Sequence, residues 1–220
     1  MADFDQDIYL GNPNLPSAKA KFDYTPEMMK EIDKCSKNIL HFAENHFFIT
    51  TIDEGKRKIA LHRPQKRILK ALTKHNRVVT CASRQSGKTT IMSIYALHEV
   101  CFNDDSTVLI VANKEATAIE ILRRIRMAYE MMPNWLKPGV KEWGKTAVVF
   151  ANDSRIIISS TSSSASRGQT ANCLSGDSVV TIKNSETGEE MDISMEALAM
   201  LLEAEGEELQ LHLVDDDFQN

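Results

Sequence analysis

The sequence predicts an α/β fold: a parallel sheet flanked by helices, followed by a small, mostly β segment. Three observations predict it. Thr107–Ala112 is an unbroken run of mostly apolar residues, the mark of a strand covered on both faces, as parallel sheets require. Strand-type and helix-type segments alternate along the middle of the chain, which favours right-handed βαβ connections. After residue 172 the charge balance reverses and short β-type segments take over.

Taken in order, residues 1–25 are rich in Pro, Asn and Gly and read as an irregular arm. From Glu27 to about Asn45, Met28, Ile32, Ile39 and Leu40 recur at helical spacing. Residues 59–64 form a short strand-type lead-in, and Pro64 opens a helix, where its missing N–H costs nothing. Arg77–Cys81 is predicted as a strand, 82–88 as a loop and Thr89 to about Cys101 as a helix. After Thr107–Ala112 comes the cleanest helical pattern. Ala118, Ile121, Leu122, Ile125, Ala128, Tyr129 and Met132 share one face, and Pro133 ends it. Residues 146–150 and 155–159 flank Asn152-Asp153-Ser154 as a hairpin. A serine-rich loop then leads to Arg167-Gly168.

The composition excludes several classes. No stretch of about 18 apolar residues exists, so no membrane partner is expected. The acidic start, Met1 to Asp5, is no secretory signal. Cys35, Cys81, Cys101 and Cys173 form no C-x-x-C pair, which argues against a zinc ribbon or disulfide framework and for a reducing compartment. The net charge of −5 is a sum of two unlike parts. Residues 1–172 hold 25 Lys+Arg against 18 Asp+Glu, or +7, and 173–220 hold one Lys against 13 acids, or −12. A basic body suits a polyanion such as nucleic acid.

Ser83-Arg84-Gln85-Ser86-Gly87-Lys88-Thr89-Thr90 carries the chemistry. It matches the essential end of G-x-x-x-x-G-K-[ST], with Ala82 in place of the first glycine, and it lies between a predicted strand and a predicted helix. N–H groups at a helix start point at phosphates, and the helix dipole favours their charge. The expectation is therefore an incomplete P-loop NTPase sheet binding ATP and Mg²⁺. Lys88 bridges the β- and γ-phosphates and Thr89 ligates Mg²⁺. Arg84 is either a surface charge or a group that reaches the γ-phosphate. Gln65 either reads an adenine edge or is simply an exposed polar helix residue.

These residues resemble the N-terminal ATPase part of the large terminase of contractile-tailed bacteriophages. The resemblance is carried by Ile8–Leu15, Ser83–Thr89, Val111–Glu115, Tyr129–Leu136 and residues 157–168. It implies a motor that drives double-stranded DNA into a procapsid, working as an oligomer on a portal protein, with a small terminase subunit, in the host cytoplasm. It also implies a further nuclease domain. Carried over, Lys88 and Thr89 bind ATP–Mg²⁺, Gln65 contacts adenine, Arg84 is a candidate arginine finger, and Arg167 reaches nucleotide or a neighbouring subunit. A helicase-like translocase shares the Gln65 and Lys88 features and stands as an alternative.

The resemblance stops after Asn172. An apolar run ending in Asp-Glu should follow Arg167-Gly168 and does not. Asp215-Asp216 follows apolar residues, but Leu209, Leu211 and Leu213 alternate with Gln210 and His212, a half-exposed pattern unlike a core strand. Instead Cys173-Leu-Ser-Gly-Asp-Ser-Val-Val180 resembles the first block of an intein, with a hairpin turn at 184–188 and a short helix near 191–198. That likeness implies that the Cys173 sulfur attacks the Asn172 carbonyl. The expected organisation is 1–60 arm and helical segment, 61–172 P-loop ATPase domain, and 173–220 N-terminal intein fragment. The expected partner is a complementary C-terminal intein–terminase fragment. A truncated terminase product without splicing is the other reading of the same residues.

Overall fold

A computed structural model describes residues 7–51, 55–80, 82–83, 86–112, 114–160, 173–176, 179–183 and 190–194. It is an α/β structure built on a five-stranded sheet of order β6-β7-β8-β5-β9. These strands are β5 (Thr107–Ala112), β6 (Val140–Trp143), β7 (Ala147–Phe150), β8 (Arg155–Ser160) and β9 (Cys173–Gly176). β5 runs parallel to both β8 and β9. β7 runs antiparallel to both β6 and β8, so the sheet is mixed rather than parallel throughout. The cause is local: the 147–160 hairpin and the turn before it keep three strands together without a helical crossover.

All six residues of β5 are buried, as an internal strand between two parallel neighbours should be. The helix α5 (Glu115–Met131) follows and packs on β5 and β8, which makes it the crossover between parallel strands. Ala118, Leu122, Ile125, Ala128 and Tyr129 form its buried stripe. The helix α4 (Lys88–Phe102) packs beside α5 and the sheet, burying Ile91, Ile94, Leu97 and Val100. One cluster of buried side chains extends from Leu15 to Ile158.

The remaining helices lean on α4. The single helix expected over Glu27–Asn45 is two, α1 (Pro26–Lys37) and α2 (Ile39–His46), split at Asn38. Asn38 leaves helical geometry at φ −137°, and its side-chain oxygen accepts from Leu40 and His41 N–H at 3.0 and 3.2 Å. It therefore satisfies the donors of a new helix start. Helix α3 (Arg63–Lys74) starts with Pro64 in its first turn, as expected. The 59–62 lead-in is not a strand; the strands lie just before it, as the hairpin of β3 (Phe48–Thr51) and β4 (Gly55–Lys58).

The expected irregular arm holds a small hairpin of β1 (Ile8–Tyr9) and β2 (Asn12–Pro16). Leu10 and Gly11 both have positive φ, 49° and 74°, the backbone of a tight two-residue turn. Lys137 anchors β2 to the end of α5. Its buried Nζ donates to the carbonyls of Asn14 (2.8 Å), Tyr129 (2.9 Å) and Met132 (2.9 Å). Burial pulls this ammonium down to about 8. Beyond the main sheet, β10 (Val179–Lys183) and β11 (Glu190–Ser194) pair antiparallel, in line with the expected hairpin. The short helix near 191–198 is strand over Glu190–Ser194, and 195–198 lie outside the described residues. Among the described residues, no helix is long and apolar enough to cross a membrane.

Candidate functional site

Residues 77–80 are not a strand, contrary to the expectation for Arg77–Cys81. Val79 is 61% exposed. A strand here needs a neighbour to take its backbone hydrogen bonds, and among the described residues none of the five sheet strands pairs with it. The loop itself ends one residue before the expected boundary, since Lys88 is already helical. Gly87 is the N-cap of α4 with φ 83°, and helical geometry begins at Lys88. That left-handed backbone costs a side-chain-bearing residue roughly 1–2 kcal/mol.

No side chain caps the start of α4, and its first turn holds no acid. Among the described residues, the amides of the first helical residues therefore have neither an intrahelical nor a side-chain acceptor, and no acid of that turn opposes the positive end of the helix dipole. Lys88 Nζ turns back and donates to the carbonyls of Ala82 and, at 3.1 Å, Ser83. Ser86 Oγ is buried and has no hydrogen-bond partner, the only such side-chain atom among the described residues. A buried hydroxyl without a partner is costly. An anion at this helix start is one acceptor that would satisfy such groups.

Gln65 joins this loop to α3. Its Oε1 accepts from His62 N–H at 3.0 Å, and its Nε2 donates to Ser86 O at 3.2 Å. The same Nε2 stands 2.6 Å from where a Cβ on Gly87 would be. Gln65 thus lies beside the loop although 21 positions separate it from Ser86. Thr89 and Thr90 sit half-buried in the first turn of α4, and Thr89 O accepts from Ser93 Oγ at 2.8 Å. The structure brings Gln65, Ser83, Ser86, Gly87, Lys88, Thr89 and Thr90 together. Arg84, Gln85, Arg167 and Asn172 lie outside the described residues, as do Asp215 and Asp216.

Cys173 is described only as backbone. It opens β9, aligned with Val108 of β5, and β9 continues to Gly176 opposite Val111. The sheet position next to β5 is therefore held by Cys-Leu-Ser-Gly, which has no carboxylate. Sequence reading did not foresee this pairing, because nothing in four residues names their partner strand.

The chain is thus an α/β protein whose sheet carries a helix with an uncapped, glycine-turned N-terminus and a lysine at its first position. Residues 79–194 match the family described as terminase large subunit, T4likevirus-type, N-terminal. This is more than half of the 220 residues, and the chain belongs to that family. It is accordingly a terminase large subunit, part of the ATPase of viral DNA packaging. The matched stretch runs through the loop and continues past Cys173.

Proposed function

We propose that this chain supplies the nucleotide-binding part of a motor that translocates double-stranded DNA into a procapsid, in the cytoplasm of the infected host. The observation that carries the proposal is the start of α4: an uncapped helix N-terminus, Gly87 at positive φ and Lys88 directly after it. Backbone amides of Ser86 to Thr90 cradle the phosphates of ATP. Lys88 exchanges two neutral carbonyls for an anionic acceptor, and the Ser86 hydroxyl gains a partner. Thr89 offers its hydroxyl to Mg²⁺, and Ser83, Gln85 and Thr90 line the loop. Arg84 serves as an arginine finger, and Arg167 contacts nucleotide or a neighbouring subunit. Gln65 reaches the adenine edge by giving up its bond to Ser86. ATP supplies the phosphoryl group whose transfer to water drives the motor.

Hydrolysis needs carboxylates that hold the metal and orient water. β9 has none beside β5. The chain is therefore expected to bind ATP without sustained turnover until those carboxylates are provided. DNA is met by the segment 55–74, which holds eight Lys and Arg and no acid. Its cations lie on exposed β4 and along α3. Portal protein and small terminase subunit are the further partners, with the motor assembled as an oligomer on the portal.

We further propose that Cys173 is the first residue of a split intein. Its thiol sulfur bonds to the Asn172 carbonyl carbon, the Asn172–Cys173 C–N bond breaks, and the thiol proton ends on the freed amine. The product is a thioester that a second nucleophile can take over. The support is the block Cys173–Val180 and the acidic balance of 173–220. A complementary fragment then brings the rest of the intein, the missing carboxylates and the nuclease domain. Mixing the two fragments should give a ligated product, and Cys173→Ala should abolish it. A second reading, a terminase chain without splicing, is favoured by the family match running to residue 194 and by β9 joining the main sheet. Failure of ligation with every matched fragment selects that reading.

A further inference from the structure

Away from the loop, four metal-binding side chains converge where α1 meets α2. Glu31 Oε1 accepts from His46 Nε2 and from His41 Nε2, each at 2.8 Å. Cys35, one turn beyond Glu31 on α1, is fully buried, and its Sγ lies 3.8 Å from the same oxygen. A carboxylate oxygen of Glu31, Cys35 Sγ and a ring nitrogen of His46 all lie within 4.8 Å of one another.

The hydrogen bonds assign His41 a different place from His46. Asn45 Nδ2 donates to the His41 backbone carbonyl at 2.9 Å, which fixes the amide, and the same Nδ2 stands 3.3 Å from His41 Nδ1. In neutral His41, Nδ1 therefore accepts and Nε2 carries the hydrogen. His41 then donates to Glu31 and orients it, as outer-shell groups do for metal-bound carboxylates. Among the described residues, the His46 ring makes no second hydrogen bond of that kind; it meets Trp135 edge-on with centroids 6.3 Å apart.

We propose that Glu31, Cys35 and His46 bind one zinc-type divalent cation, with water completing the coordination and His41 holding the carboxylate. One sulfur, one imidazole nitrogen and one carboxylate oxygen suit zinc or cobalt(II) and disfavour the all-oxygen ions magnesium and calcium. Binding sends the Cys35 thiol proton to solvent. Closing the site requires a shift of a few tenths of an ångström, since ligands about 2.0–2.3 Å from a tetrahedral zinc lie further apart than the present 2.8 Å contact. The bound ion pins α1 to α2 across the Asn38 break, and so holds the helical pair that packs against α4.

The test uses the full chain, stripped with a chelator and titrated with zinc in a calorimeter, then with cobalt(II) in a spectrophotometer. One ion per chain, a raised Tm and a thiolate-to-cobalt charge-transfer band are expected. His46→Gln and Cys35→Ser should each weaken binding tenfold or more. Cys35→Ser should erase the band, and Cys101→Ser should keep it. His41→Asn should weaken binding roughly 10–100-fold. Absence of stoichiometric uptake overturns the proposal, and so does uptake indifferent to His46→Gln, even if Cys35→Ser does not fold.

Discussion

Gly87→Ala probes the geometry of the loop at the atom where it is tightest. Gly87 has φ 83°, and an alanine there pays roughly 1–2 kcal/mol for the left-handed backbone. Its Cβ would also stand 2.6 Å from Gln65 Nε2, inside any real contact distance. Gln65 must swing away and give up its 3.2 Å bond to Ser86 O, worth about 0.5–1.5 kcal/mol. The two effects together predict a loss of about 2–3 kcal/mol, a large share of a typical domain's roughly 5–15 kcal/mol. Equilibrium urea unfolding measures it. A double-mutant cycle separates the parts. On a Gln65→Ala background the collision is gone, so Gly87→Ala should cost only its backbone share, leaving a coupling of about 1 kcal/mol. An equal cost in both backgrounds, or a cost below about 0.5 kcal/mol in the wild type, refutes this account of the loop.

Three other outcomes follow from the same structure. Lys137 is lowered to about 8 when folded, against an ordinary 10.5, so the unfolded chain binds more protons between those values. Stability should therefore rise with pH across that window, by up to the order of 3 kcal/mol, and the penalty should be complete below pH 8. Urea titrations at pH 7, 9 and 10.5 should show this slope in the wild type and a flatter one in Lys137→Met; parallel slopes contradict it. Asn38→Ala should cost about 1 kcal/mol in the same assay, because the donors of Leu40 and His41 lose their cap. Lys70→Gln with Lys74→Gln should weaken DNA binding alike on all sequences and make its log–log salt dependence shallower by about one unit per lost phosphate contact; an unchanged slope removes this face of α3 from the DNA path.

Several elements were legible because local chemistry decides them. The apolar run of β5 and the stripe of α5 read directly as buried strand and helix. Pro64 marked the start of α3, and Gly87-Lys88 marked the start of α4. The break at Asn38 was not read from the sequence, because the apolar spacing of Met28, Ile32, Ile39 and Leu40 runs straight across it. β6 was not legible, because it is fixed from far away. A Cβ on Gly139 would lie 2.2 Å from Ser17 O, and Val140 bridges to Ser17. The strand expected at Arg77–Cys81 failed for a related reason: apolar residues make a strand only beside a partner, and Val79 is left largely exposed. At the site, the motif showed Lys88 and Thr89. It did not show that Gln65 is already engaged by His62 and Ser86, since that depends on how α3 meets the loop.

The most direct measurement is nucleotide affinity across one substitution, by calorimetry with Mg–ATP on the full chain. Lys88 should meet the phosphates directly, so Lys88→Ala should lower affinity by tenfold or more while circular dichroism stays unchanged. Equal affinity in the two proteins, or no heat of binding in either, would contradict the assignment of phosphate binding to the start of α4.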